Sequence, residues 1–174
     1  MHILLGIVAV LGGIAIFIWR VRTAAAAAKD IVEAADDIRS AARRFGHNRK
    51  TKVNPLDAIE DSRVAAAAVM AAFARMDGDY TREQLLAIKE ECQSVFGASE
   101  KEAVEIAGQS RWLMEQSANL DDAIRKLSRI LRRGLEADEK KQLLSMVTRV
   151  ASVEGDGMSE HQQQSLSQLS RQIS

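Results

Sequence analysis

The sequence predicts an all-α fold, a compact bundle of about six helices behind one transmembrane helix and a helical neck. Three observations carry this. One proline and ten glycines in 174 residues are too few turn formers for an all-β chain, which needs a turn every about 8–12 positions. Alanine is abundant and aromatics make up only 4%, a helix-forming composition. Hydroxyl and amide capping residues also stand repeatedly ahead of apolar runs with helical spacing. The length suits one compact domain with an appendage.

Charge divides the chain into three zones. Residues 1–19 carry no Asp, Glu, Lys or Arg; residues 20–52 carry nine basic and four acidic side chains; residues 53–174 carry fifteen basic and twenty acidic. The zones read as an anchor at 1–22, an Ala-rich basic neck at 23–53 and an acidic body at 54–174. The 24 basic and 24 acidic residues balance, so the surplus that a nucleic-acid partner requires is absent and none is expected. The single Cys92 excludes an intramolecular disulfide framework and a CxxC metal knuckle.

Ile3–Trp19 is an uncharged run of 17 residues, at the short end of the about 17–25 that span a bilayer core. Trp19 stands where an indole sits at headgroup level, and Arg20 and Arg22 follow at once. With no side-chain charge ahead of the run, the positive-inside rule predicts a single-pass anchor in a bacterial inner membrane, with the C-terminal domain cytoplasmic. A cleavable signal peptide is the competing reading, the alanines at 24–28 offering small residues for cleavage. Its charge would precede a shorter apolar core, which favours the uncleaved anchor. Gly6, Ala9 and Gly13 share one face of that helix and predict close helix contact, hence a homodimer. Small residues are also common in such helices without pairing.

In the neck, Ala24, Ala28, Ile31, Ala35, Ile38, Ala42 and Phe45 recur in alternating steps of four and three, the spacing of a helical seam. The stripe fits a short coiled coil, the body or the bilayer surface. Gly46 is the expected stop. Arg39, Arg43, Arg44, Arg49, Lys50 and Lys52 would then lie near anionic lipid, or form part of a solvated linker from His47 to Val53.

The body reads as six capped helices. Asn54-Pro55 predicts an N-cap and N1 proline for the first, with Leu56, Ile59, Ala66, Val69, Phe73 and Met76 inward. Its run Ala65–Ala68 predicts a central position. Thr81-x-x-Gln84 is a capping box for the second, burying Leu85, Ile88, Cys92 and Val95 and closed by Gly97. Ser99-x-x-Glu102 opens the third, with Val104, Ala107, Leu113 and Met114 inward. Asn119 caps the fourth, which buries Leu120, Ile124, Leu127 and Leu131 and stops at Gly134. The fifth runs from about Glu136 to Val153 over Leu143, Leu144, Val147 and Val150, and Ser159-x-x-Gln162 opens the sixth, with Leu166, Leu169 and Ile173.

The first and fifth of these helices end alike. Phe73-Ala74-Arg75-Met76-Asp77-Gly78-Asp79 matches Val150-Ala151-Ser152-Val153-Glu154-Gly155-Asp156, and each leads to a hydroxyl cap at Thr81 or Ser159. Acid–Gly loops repeated at matching helical positions resemble the TerB-like family, named for the tellurite-resistance protein TerB, over roughly residues 54–174. The anchor is similar in layout to that of the membrane-anchored DnaJ-like co-chaperones. No His-Pro-Asp occurs at His2, His47 or His161, so co-chaperone activity is not implied. Gln84 and Gln162 stand where the family usually places Glu, and the second loop is one residue longer with Glu154 as its first acid.

Asp77, Asp79, Glu154 and Asp156 are hard oxygen ligands suited to Ca²⁺ or Mg²⁺ if the loops converge, with Glu83 and Glu160 as outer contributors. The resemblance implies the same, since acidic clusters in the family are connected with metal binding. The alternative is turn chemistry alone, Gly supplying positive φ and Asp accepting backbone N–H groups. An EF-hand is excluded, because Arg82 takes the loop-glycine position and Ile88 the bidentate one. No Ser-His-Asp, HExxH, phosphate loop or paired Cys/His set occurs, so no catalytic or cofactor-binding residue is assigned. His161 reads as a surface residue and Cys92 as a buried thiol. Arg125, Lys126, Arg129, Arg132 and Arg133 form a basic stripe, a solvated face or a docking site for an acidic partner.

The expected function is a membrane-anchored, cytoplasmic, non-enzymatic interaction or stress-response module. Its partners are the lipid bilayer, a protein that the sequence does not identify and a second copy of itself. Tethering raises its effective concentration for other membrane-bound partners. The alternative is a divalent-cation sensor built on the two loops. Nothing in the residues predicts chemistry on tellurite.

Overall fold

The computed structural model describes residues 32–46, 55–155 and 157–174. The anchor at 1–22, its Gly6, Ala9 and Gly13, the neck stripe up to Ile31, the basic residues Arg49, Lys50 and Lys52, and the cap Asn54 lie outside these residues. Among the described residues no helix is long and apolar enough to cross a membrane.

The described elements are helical throughout. Helix α1 occupies 32–46, and a 3-10 turn follows at Pro55–Ala58. The bundle is α2 (Ser62–Arg75), α3 (Arg82–Phe96), α4 (Glu100–Glu115), α5 (Leu120–Gly134), α6 (Ala137–Ala151) and α7 (Glu160–Ile173). The six helices expected of the body are present.

Capping explains most boundaries. The Thr81, Ser99 and Ser159 hydroxyls accept from the N–H of Gln84, Glu102 and Gln162, and each of those side chains accepts in return from the N–H of the capping residue. Asn119 accepts from Asp122 N–H at 3.1 Å, and Gly97 closes α3 in the left-handed conformation, φ +63°. Two boundaries differ from expectation. Pro55 opens the 3-10 turn, and α2 starts at Ser62 behind Asp61, which accepts from Arg63 N–H at 2.8 Å. A proline fixes φ for either kind of helix, so Asn-Pro does not tell them apart. Gly134 is the last residue of α5 rather than a residue beyond it, and the chain leaves through Leu135 in extended conformation.

Helix α2 is central: every residue from Val64 to Ala74 is buried, Ala65–Ala74 being within 3% of full burial. It packs on α3, α4, α5 and α6. Its alanines permit this, since small side chains on most of its faces let several neighbours approach at once, with Met70 and Phe73 as its large buried side chains. Leu85, Ile88, Cys92, Leu113, Met114, Leu127, Leu131, Leu143, Met146 and Leu169 fill the layer around it. In α4 the inward face is Ala103, Ile106 and Ala107, with Val104 only half-buried.

Residues 34–46 of α1 belong to the same compact unit as the bundle. Ala35, Ile38, Ala41 and Ala42 are buried, so the seam read in the neck faces the body over this stretch. The crossing is on α4 at Gly108, where a Cβ would meet the Ala41 Cβ at 2.4 Å. Arg44 pairs with Glu105 of α4 at 2.9 Å and Arg39 with Asp36 at 3.0 Å, so two cations of the basic cluster are already engaged.

Candidate functional site

The two acid–glycine loops are built from the same parts. After α2, Gly78 N–H donates to the Arg75 carbonyl at 3.3 Å; after α6, Gly155 N–H donates to the Ser152 carbonyl at 3.1 Å. Each glycine has positive φ, +153° and +93°. The second loop needs a further left-handed residue, Gly157 at φ +74°, which accommodates its extra length. Each loop then runs into a capping box whose glutamine, Gln84 or Gln162, is buried.

The packing of α2 on α6 brings the two loops to one open cleft of about 500 Å³. Asp77, Asp79, Thr81, Glu154, Ser159 and Gln162 are among its lining residues. The loops are joined across it. Ser159 Oγ donates to Asp77 Oδ1 at 3.2 Å, and Gln162 Nε2 donates to the Phe73 carbonyl at 3.0 Å, deep in the site. The second bond adds to the one that the Phe73 carbonyl accepts from Met76 N–H at 3.3 Å at the end of α2.

Of the predicted cation ligands, Asp77, Asp79 and Glu154 are exposed and face the same cleft. Glu83 and Glu160 are exposed in the first turns of α3 and α7 and are not among the cleft's lining residues. Asp156 lies outside the described residues. Among the described residues no group of three or more His, Cys, Asp or Glu side chains has the arrangement of a metal site.

The amide donor of Gln162 is the functional feature the sequence does not announce. Its position marks it as a capping acceptor, but that its –NH₂ reaches Phe73 depends on the tertiary meeting of α7 and α2. The back of the first loop is likewise set by tertiary contacts. Arg75 Nη1 donates to the Met114 carbonyl. Arg111 lies 5.3 Å over the Tyr80 ring and holds Glu115 at 2.6 Å. Burial raises the Tyr80 phenol above its ordinary value, keeping it neutral. Cys92 is buried in the core, and burial, seconded by the Glu91 charge, pushes its thiol up to about 12. His161 is exposed.

The family model for the tellurite resistance protein TerB matches residues 63–173, which include α3 to α7, nearly all of α2 and both loops. No curated protein and no solved structure matches the chain.

Proposed function

The chain belongs to the TerB family, and on that premise we propose that it is a non-enzymatic interaction and stress-response module, tethered by residues 1–22 to the cytoplasmic face of a bacterial inner membrane. The observation that carries the reading is the state of the cleft's polar side chains. Thr81, Gln84, Ser159 and Gln162 are all engaged in capping α3 and α7, and Gln162 also holds Phe73. Such groups hold a shape and do not offer a nucleophile beside a base, the arrangement covalent catalysis requires. What the cleft offers a partner is a rim of three exposed carboxylates, Asp77, Asp79 and Glu154.

Capture from solubilised membranes tests this directly. The intact chain retains a protein partner that the chain lacking residues 1–22 does not; an identical set of captured proteins counts against the tether. A C-terminal reporter active only in the cytoplasm supports the orientation, and periplasmic activity opposes it.

A second reading, a divalent-cation sensor, is favoured by the meeting of both acidic loops at one cleft. Asp77, Asp79, Glu154 and Asp156 would hold Ca²⁺ or Mg²⁺ as hard oxygen ligands, the ion competing with the Ser159 hydroxyl for Asp77. Calorimetric titration of the full chain with Ca²⁺, Mg²⁺ and Zn²⁺ decides it. Binding that Asp77→Asn weakens at least tenfold supports the sensor; no heat and no thermal shift at millimolar ion removes it.

A further inference from the structure

We propose that the exposed arginine face of α5 docks on anionic lipid headgroups, laying the bundle on the bilayer surface. The inference rests on the membrane tether proposed above for the nearness of the bilayer, and it assigns that tethered module a lipid-facing side. Helix α5 separates its residues sharply. Ala123, Ile124, Leu127, Ser128 and Leu131 are buried, while Arg125, Arg129, Arg132 and Arg133 are exposed. At about 100° per residue these four fall within one 100° sector of the helix, in a strip about 12 Å long.

Ion pairing singles the strip out. Within the bundle, Arg63, Lys89, Arg111, Lys141 and Arg149 each hold a carboxylate. On α5 itself Arg125 pairs with Asp122, and Lys126 with Asp57 at 3.0 Å. Arg129, Arg132 and Arg133 pair with no carboxylate among the described residues. The other cations there without a carboxylate, Arg43, Arg75, Arg82, Lys101, Lys140 and Arg171, are spread one to a helix, and Arg43 and Arg75 are engaged by the Ser40 hydroxyl and the Met114 carbonyl. Residues 53–174 carry five more acids than bases, so three neighbouring arginines without partners are not a matter of scarce carboxylates. Favourable interaction with the end of the helix dipole accounts for Arg132 and Arg133 in the last turn, and not for Arg129 a turn earlier.

The chemistry of the strip selects the occupant. Guanidinium groups match phosphate oxygens two at a time, and a headgroup layer offers phosphates across a plane. Protein interfaces combine arginine with buried aromatic and apolar anchors, and α5 shows the arginines on this face without any such anchor. Val153 is the one large hydrophobic side chain exposed among the described residues. Beside the strip, α7 contributes the uncharged Ser165, Gln168 and Gln172 to a groove shared with Asp121, Ile124 and Arg125 of α5, so the α7 side of that groove presents no acid to a phosphate and Asp121, one turn before Arg125, is the carboxylate at the strip's N-terminal end.

The test uses the full chain carrying Gln168→Cys, labelled with a fluorophore; the buried Cys92 does not compete. Vesicles are phosphatidylcholine alone, or with about a third phosphatidylglycerol, and both carry a headgroup quencher. Quenching is expected in the anionic vesicles only, declining as salt rises to about 0.5 M. The docked-to-undocked ratio should fall about fivefold for each arginine replaced in R129Q, R132Q and R133Q. K140Q should leave it unchanged, and circular dichroism confirms that each variant is folded. Equal quenching in neutral vesicles, or quenching that survives the triple substitution, overturns the proposal. So does a triple variant that loses an acidic protein partner and no lipid contact. Flotation separates the tether from the strip. A chain that floats with neutral vesicles at high salt is anchored whatever α5 does. A chain that floats only with anionic vesicles, and not after the triple substitution, has no anchor but retains the docking face.

Discussion

A methyl group added at Gly108 would lie 2.4 Å from the Ala41 Cβ and 3.0 Å from backbone atoms of Ile38 and Ala42. Backbone cannot yield as a side-chain tip can, so Gly108→Ala should force α1 away from α4 at a cost of about 1–3 kcal/mol. Denaturant unfolding measures the loss, and hydrogen exchange should show it as reduced protection in residues 34–46. Cys92 makes a second prediction. Its thiol lies near 12 in the fold against an ordinary value of 9. The unfolded chain therefore releases this proton first as pH rises. The contribution of the neutral thiol is whole below pH 9 and is lost as pH climbs from 9 towards 12. Cys92→Ala should flatten that part of the stability profile, and a thiol reagent at pH 8 should label the native chain only after denaturant is added. Burial of Cys92 was legible from its place on an apolar stripe. The role of Gly108 was not, because nothing in the sequence says which glycine lies at a helix crossing.

Among the elements, the capped helices were the most legible. A hydroxyl followed three residues later by Gln or Glu satisfies backbone N–H groups within one turn, so Thr81, Ser99 and Ser159 announce their helices without tertiary help. Asp61 was overlooked because Asn54-Pro55 upstream carries a stronger start signal, though the chain answers that signal with a 3-10 turn. In the site, the two loops were legible as a repeat, but their convergence was not, since it follows from the packing of α6 on α2. Gln84 and Gln162 separate the two kinds of information. Both cap, but only Gln162 donates to the carbonyl of another helix. Gln162→Glu keeps the capping acceptor and removes that donor, leaving the Phe73 carbonyl facing a carboxylate. It should cost about 1–3 kcal/mol in thermal or urea unfolding, with Gln84→Glu well below it. Equal losses would mean that the bond to Phe73 contributes nothing.

At the scale of the whole molecule, α1 is the part that the sequence left with several placements. A stripe of alanine with Ile31, Ile38 and Phe45 gives no preference between bilayer, coiled coil and bundle, and it is the close approach to α4 at Gly108, with the Arg44–Glu105 pair beside it, that places residues 34–46 on the bundle. A chain beginning at residue 55 loses the burial of Ala35, Ile38, Ala41 and Ala42 and uncovers the matching face of α4. It should be less stable than a chain beginning at residue 32 by about 3 kcal/mol, read as a lower urea midpoint. The family match at 63–173 begins downstream of α1, so the bundle's dependence on this helix is a feature that the match alone does not convey.

The clasp between the loops bears on how the polypeptide is made. Its two bonds join positions 82 and 89 residues apart, running from the start of the last helix back to the end of α2. While α6 and α7 are still being synthesised, α2 is already made, yet one of its sides is uncovered and its Phe73 carbonyl is without Gln162. The clasp therefore closes only once residues 159–162 have been made, and until then the alanine-rich α2 leaves apolar surface that a nascent-chain chaperone would find uncovered.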